Sequence, residues 1–267
     1  MSNTLKTIGI AGAGTMGAGI AQVCAQANYK VVLFDLNNSV IEKAEKSIIA
    51  SLEKLVSLNK ITADQQADYL NAITYTSNIN DLKVDLIIEA IIEKLEAKTG
   101  LFEQLMEING PDTIYATNTS SIPVTKIAAP LKYPSQVLGI HFFNPAQIMK
   151  LVEIIKGAKT SEVIIGIAGD FVLSLNKVPV FAADAPGFIV NRIARLYYVE
   201  ALKMMEEGVA DFETIDKIME SSGFKMGPFR LMDLIGVDTN YSVTESQYHL
   251  FNHEARFRPS RIQKQKV

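Results

Sequence analysis

Proton transfer near neutral pH is the work of histidine, because its ordinary pKa falls there. The chain has three histidines. His249 and His253 lie in a polar C-terminal stretch with no motif around them. His141 stands in Gly139-Ile140-His141-Phe142-Phe143-Asn144-Pro145, at the carboxyl end of an apolar, strand-forming run. Open α/β sheets place their ligands at that end. A histidine base normally has a carboxylate that fixes its tautomer and supports the imidazolium. Glu153, within Lys150-Leu151-Val152-Glu153-Ile154-Ile155, is a charge inside an apolar run, and such a group is usually paired. His141 and Glu153 meet if these runs pair as neighbouring strands; on these residues alone, a core histidine and an edge glutamate are an equal alternative. The cluster Thr117-Asn118-Thr119-Ser120-Ser121 follows a strand and precedes a helix, so its hydroxyls face the same crevice. Ser121 is also a candidate N-cap for a helix starting near Pro123. Asn191, one turn into a long helix, is either a site residue or a solvent-facing one.

A second group of residues points to a nucleotide. Gly12-Ala13-Gly14-Thr15-Met16-Gly17 follows the short apolar run at 7–11 and opens a helix. In that context Gly12 permits a tight turn, Gly14 lets a pyrophosphate approach the backbone, and Gly17 lets helix and strand pack closely. The first N–H groups of the helix are then available to phosphate. Asp35 ends the next apolar run. A carboxylate there accepts from the ribose hydroxyls and repels a 2′-phosphate, so the expected cofactor is NAD and not NADP. With His141 as base, the chemistry is hydride transfer from an alcohol.

These residues need a frame. Apolar, β-branched runs predict strands at 7–11, 30–34, 85–90, 113–117, 136–143, 151–155 and 178–182. Helices are expected at 18–28, 93–107 and 161–176, with two more between 37 and 71. In that pair Ile41, Ala44, Ile48, Leu52 and Leu55 recur at helical spacing, Asn38 or Ser39 caps the first helix and Thr62 the second. Strands alternating with helices predict an α/β, Rossmann-type, mostly parallel sheet covered on both faces. The texture changes at Asp184-Ala185-Pro186-Gly187. Pro186 suits the first turn of a helix, and 188–207 reads as one long helix followed by helical sequence. The expected organisation is an NAD-binding domain over 1–183, with a helical insertion at about 37–71, and a smaller all-α domain over 184–267. The basic, polar stretch 256–267 is expected to be loose or partly helical.

Composition narrows the remaining classes. With 26 basic and 29 acidic residues the formal net charge is −3, and no basic footprint for nucleic acid dominates. Cys24 is the single cysteine, which excludes an intrachain disulfide framework and a multi-cysteine zinc site; no metal is expected. No signal-peptide pattern and no bilayer-spanning apolar run are found. The chain reads as a soluble, cytoplasmic protein with no membrane partner.

The strings GAGTMGAGIAQ, IIEAIIE, ATNTSS, GIHFFNP, MKLVEII, DAPGFIVNR and MGPFRLMDLIGVD together resemble the L-3-hydroxyacyl-CoA dehydrogenases, and most closely the bacterial 3-hydroxybutyryl-CoA dehydrogenases, from about Lys6 to about Thr239. The resemblance implies NAD-dependent oxidation of a short-chain (S)-3-hydroxyacyl-CoA to a 3-ketoacyl-CoA in fatty-acid or butanoate metabolism. It makes His141 the base and Glu153 its partner, with Ser120 and Asn191 holding the substrate oxygen. It puts Asp35, Glu93, Lys98, Ser120 and Asn144 along the NAD site, beside the turn Gly12 to Gly17. Ser51 and Lys60, in the inserted helices, would contact coenzyme A. Family members form homodimers through the helical domain and close their domains over substrate. Two departures stand out: members continue past Val267 with a basic, glycine-rich segment, so the helical domain reads as truncated, and Arg230 occupies a position where glutamate is usual. Two alternatives share parts of the pattern: a gulonate-type sugar-acid dehydrogenase and a catalytically impaired NAD-binding homologue.

Overall fold

The computed structural model describes residues 5–267. The chain begins β1 (Thr7–Ala11), α1 (Thr15–Gln26) and β2 (Lys30–Phe34), followed by the helical insertion α2 (Asn38–Ser57) and α3 (Ala63–Asn71). It continues through β3 (Ile73–Thr76), β4 (Leu86–Glu89), α4 (Leu95–Asn109), β5 (Ile114–Thr117), α5 (Val124–Ala128), β6 (Val137–Phe142), β7 (Leu151–Lys156), α6 (Glu162–Ser174) and β8 (Val178–Ala183). The strands form one eight-stranded sheet in the order β3-β2-β1-β4-β5-β6-β7-β8. Every neighbouring pair is parallel except β6 and β7. Residues 143–150, which join those two, are too few for a crossover, so the chain turns back on itself.

Strands β4, β5 and β6 are buried along their whole length. That is why they read as continuous apolar runs and not as alternating ones. Helix α2 buries Ile41, Ala44, Ile48 and Leu52, four positions on one helical face. Fully burying side chains such as Ile48 and Leu52 contributes about 1.5–3 kcal/mol each. Its N-cap is Asn37, whose side chain accepts from the Ser39 backbone N–H, and not Asn38 or Ser39 as the sequence suggested. Thr62 caps α3 and forms a capping box with Gln65. Strand β3 is absent from the sequence reading. Its four residues directly follow α3, and so short a run has too little periodicity to separate from the helix before it.

Contacts divide the chain between Asp184 and Ala185 into two compact units. The second holds α7 (Val190–Glu206), α8 (Phe212–Ser221), α9 (Pro228–Ile235), α10 (Val237–Leu250) and α11 (Arg261–Lys264), with Tyr198, Leu202 and Met232 in its core. Pro186 lies in a turn ahead of α7 and not in its first helical turn; Gly187 and Phe188 there take left-handed φ values of 74° and 47°. The α9 N-terminus is capped from α8: the buried Asp216 carboxylate accepts from the N–H groups of Phe229 (2.9 Å) and Arg230 (3.1 Å). Arg230 donates to both oxygens of Glu220, at 2.8 and 3.0 Å, so a positive charge at this position has its partner one helix away. The stretch after 255 is partly helical, yet Phe257 and Gln263 are buried, a packing its polar composition does not announce. Among the described residues no helix is long and apolar enough to cross a membrane, and no group of three or more His, Cys, Asp or Glu is placed to hold a metal.

Candidate active site

The antiparallel turn between β6 and β7 sets the centre of the site. Its register puts His141 directly opposite Glu153. His141 Nδ1 lies 2.7 Å from Glu153 Oε2, with both residues buried at 5% and 0% exposure. The Phe143 ring packs 4.6 Å from the imidazole, centroid to centroid. The open question of whether these two residues pair is thus answered by strand register: twelve residues apart in sequence, they face each other across a hairpin.

Next to β6 runs β5, with Thr117 paired in register to Gly139. The loop carrying Ser120 therefore leaves the sheet beside the strand that carries His141. Asn118 fastens the two, its Oδ1 accepting from the Phe142 N–H at 2.8 Å. Glu93 organises the rest of the loop. Its Oε1 accepts from Thr119 Oγ1 (2.5 Å), from the N–H groups of Ser120 and Ser121 (both 3.1 Å) and from Ser121 Oγ (2.9 Å). Burial alone would raise the pKa of Glu93, but the Lys98 charge and the donations from Thr119, Lys98 and Ser121 outweigh it and hold the carboxyl below its ordinary value.

Two expectations need correction here. Glu93 precedes α4 instead of lying within it, since the helix starts at Leu95; that position lets it reach the serine loop. Lys98, expected along the NAD site, is buried. It is 1% exposed, with Nζ held by Glu89 (2.6 Å) and Glu93 (3.1 Å). Ser121 does not cap α5. That service comes from Asp184, whose two oxygens accept from the N–H groups of Val124 (2.8 Å) and Thr125 (2.7 Å). Asp184 lies 60 residues from Val124, so no local capping pattern reveals it.

At the carboxyl end of β1, three strands along the sheet from β6, the glycine turn is built to admit a dinucleotide. Gly12 has φ +109°, and a Cβ there would stand 2.6 Å from the Ala90 carbonyl oxygen. A Cβ on Gly17 would stand 1.8 Å from the Gly12 oxygen, so only glycine allows α1 so close to β1. A Cβ on Gly14 meets nothing within 4 Å, leaving its outer face open for a pyrophosphate. Gly14 caps α1 with no side-chain hydrogen bond and no acidic residue follows in the first turn, which begins Thr15-Met16; these N–H groups suit an anion. Asp35 accepts from the N–H groups of Ala13 (2.9 Å) and Asn37 (3.0 Å). It thus ties the glycine turn to the end of β2, a role the sequence did not reveal, while staying partly exposed. Leu36 and Ile92, each beside a carboxylate of this region, are 85% and 61% exposed. Large apolar side chains left in water there fit the flat faces of a nucleobase. The residues present therefore fit NAD.

The other expected residues are placed as follows. Asn144 directly follows Phe143 and precedes Pro145 through a cis peptide bond. Ser51 is half-buried on α2, and Lys60 is exposed just beyond that helix. Asn191 is the second residue of α7, not one turn into it, and is half-buried within the second unit.

Comparison with known proteins agrees with this anatomy. Residues 7–185 match the family profile described as "3-hydroxyacyl-CoA dehydrogenase, NAD binding domain", and residues 187–267 match "3-hydroxyacyl-CoA dehydrogenase, C-terminal domain". The chain is 44% identical to a 3-hydroxyadipyl-CoA dehydrogenase of Escherichia coli K12, over 100% of this chain and 57% of that protein; it spans little more than half of that relative's length. It is 41% identical to a 3-hydroxybutyryl-CoA dehydrogenase of Clostridioides difficile, covering 91% of this chain and 88% of that one. The crystal structure of the (S)-3-hydroxybutyryl-CoA dehydrogenase of Ralstonia eutropha superposes with a TM-score of 0.94 at 37% identity, over 98% of this chain and 93% of that one.

Proposed function

The chain belongs to the 3-hydroxyacyl-CoA dehydrogenase family, and we propose that it oxidises the 3-hydroxyl of a short-chain (S)-3-hydroxyacyl-CoA to a ketone with NAD. The observation that carries the reading is the buried His141–Glu153 pair at 2.7 Å, at the carboxyl end of the sheet. Glu153 occupies Nδ1, so the substrate hydroxyl gives its proton to Nε2. The imidazolium so formed lies against the Glu153 carboxylate, which stabilises it and keeps the ring oriented. NAD supplies, when bound, the acceptor for the hydride. Carbon three loses that hydride with the electron pair of its C–H bond as its oxygen loses the proton, and the C–O bond becomes a carbonyl. Ser120 holds that oxygen, while Gly12 to Gly17, Asp35, Glu93 and Asn144 seat the cofactor, with Lys98 fixing Glu93 through their ion pair. Ser51 and Lys60 on the insertion contact the coenzyme A portion.

The relatives' names differ in acyl group, butyryl in one and the dicarboxylic adipyl in another, so chain length is the property to measure. NADH oxidation by the purified chain is followed with acetoacetyl-CoA, longer 3-ketoacyl-CoA esters and 3-ketoadipyl-CoA. The highest kcat/KM is expected with acetoacetyl-CoA; no turnover with any thioester refutes the proposed activity. The sugar-acid alternative is not favoured, because both domain profiles are those of acyl-CoA enzymes, and gulonate is expected to be inert. The protein acts as a cytoplasmic homodimer in this reading. Support for the dimer comes from the helical unit, which leaves Ile193, Leu196, Phe212, Ile218, Phe224 and Leu234 between 43% and 71% exposed, an apolar surface of the kind that subunits cover. Light scattering that gives a monomer mass across micromolar concentrations contradicts it.

A further inference from the structure

We propose that Glu89 is a positioning residue for the reaction, acting through Lys98 and Glu93 on the loop that carries Ser120. Glu89 is the last residue of β4, after the apolar Leu86, Ile87 and Ile88, and is 0% exposed. A carboxylate in such a place is costly to desolvate, and well-packed apolar groups often stabilise a core as well or better. Stability alone therefore gives a weak account of it, and its partners give a stronger one.

Every partner leads toward the site. Glu89 Oε1 accepts from Lys98 Nζ at 2.6 Å and from the Ile91 N–H at 2.8 Å. Its Oε2 accepts from Thr117 Oγ1 at 2.7 Å. From Lys98 the chain of contacts runs to Glu93 Oε2 at 3.1 Å, and from Glu93 Oε1 to the Ser120 N–H, also 3.1 Å. A second route passes through Thr117, whose oxygen accepts from the Thr119 N–H at 3.3 Å. Lys98 is the keystone of the first route, one buried ammonium between two carboxylates. If Glu89 loses its charge, Glu93 becomes the sole carboxylate on Lys98, and the ammonium is drawn toward it. The loop atoms that Glu93 holds then shift with it. A displacement of about 1 Å in a group that orients the reacting oxygen can cost on the order of 10²-fold in rate.

The test is Glu89→Gln, alone and combined with Glu93→Gln, assayed for NADH oxidation with acetoacetyl-CoA. Circular dichroism and NADH titration verify fold and cofactor affinity. Glu89→Gln is expected to lower kcat by about tenfold or more, with the NADH dissociation constant, read through Glu93, changing by a smaller factor than kcat. The double variant is expected to lose little beyond the larger single loss, because both changes cut one path. A folded Glu89→Gln enzyme with kcat within twofold of wild type overturns the proposal, as do losses that multiply independently. If Glu89→Gln does not fold, Glu89→Gln with Lys98→Met removes both buried charges together; the same fall in kcat is expected, and wild-type kcat in that variant is contradictory. The inference rests on the dehydrogenase reading. An inactive wild type sinks both, whereas an active wild type with an unaffected variant sinks this inference alone.

Discussion

Glu153 touches His141 through one short hydrogen bond in a dry setting, so its effect on rate is open to a direct estimate. Glu153→Gln keeps the shape but removes the charge that stabilises the imidazolium, and the amide can present either an oxygen or an NH2 to Nδ1. We expect kcat to fall on the order of 10² or more, with NADH affinity nearly unchanged; steady-state kinetics beside NADH titration check it, and a loss below about threefold contradicts the role. This pair was legible in sequence because a charge inside an apolar run asks for a partner. The tight glycine turn was legible because its spacing is local. The burial of Lys98 was not legible, since nothing in Glu93-Lys94-Leu95-Glu96-Ala97-Lys98 tells which lysine turns inward. Asp184 and Asp216 escaped because they cap helices across 60 and 13 residues, beyond the reach of any local capping pattern.

At the scale of elements, the closeness of α1 to β1 is set at Gly17. A methyl group there would stand 1.8 Å from the Gly12 oxygen, so helix or turn must move. Gly17→Ala is expected to abolish measurable NADH binding and to lower Tm by several degrees, as strain of about 1–3 kcal/mol does in domains of this size. Calorimetry and NADH fluorescence read the two effects; wild-type NADH affinity in the variant contradicts the account of the turn. The alternation of strands and helices was readable from apolar runs, and it gave the parallel part of the sheet. Direction was not readable at β7. Apolarity is the same for either orientation, and only the short link at 143–150 forces the antiparallel pairing that joins His141 to Glu153.

On the scale of the whole molecule, each unit is braced from within by carboxylates that cap or bridge its own helices. Glu206 is one in the helical unit: its Oε1 accepts from Ser260 Oγ at 2.5 Å and from the Arg261 N–H at 2.8 Å, closing the start of α11. The Ser260 hydrogen bond, ahead of opposing burial and aided by the Arg261 and Ile262 N–H groups, lowers its pKa below the ordinary 4.5. A carboxyl with a depressed folded pKa contributes stability that is fully present above its unfolded value. That contribution is lost as pH falls through the folded value. The Tm difference between wild type and Glu206→Gln is therefore expected to be constant from about pH 6 to 8 and to shrink below about pH 4.5. A difference that grows on acidification contradicts the assignment. The change of texture at Asp184-Ala185-Pro186-Gly187 falls where contacts divide the chain. The cap from Glu206 to Ser260 was not legible, because it spans 54 residues.

The central claim is that this chain moves a proton through His141 while NAD takes the hydride. The most direct measurement is single-turnover oxidation of bound NADH by acetoacetyl-CoA in wild type and in His141→Gln, with NADH affinity measured on the same samples. The account predicts that the variant binds NADH within about threefold of wild type and oxidises it at least about 10³-fold more slowly. A variant that turns over at close to the wild-type rate would contradict it.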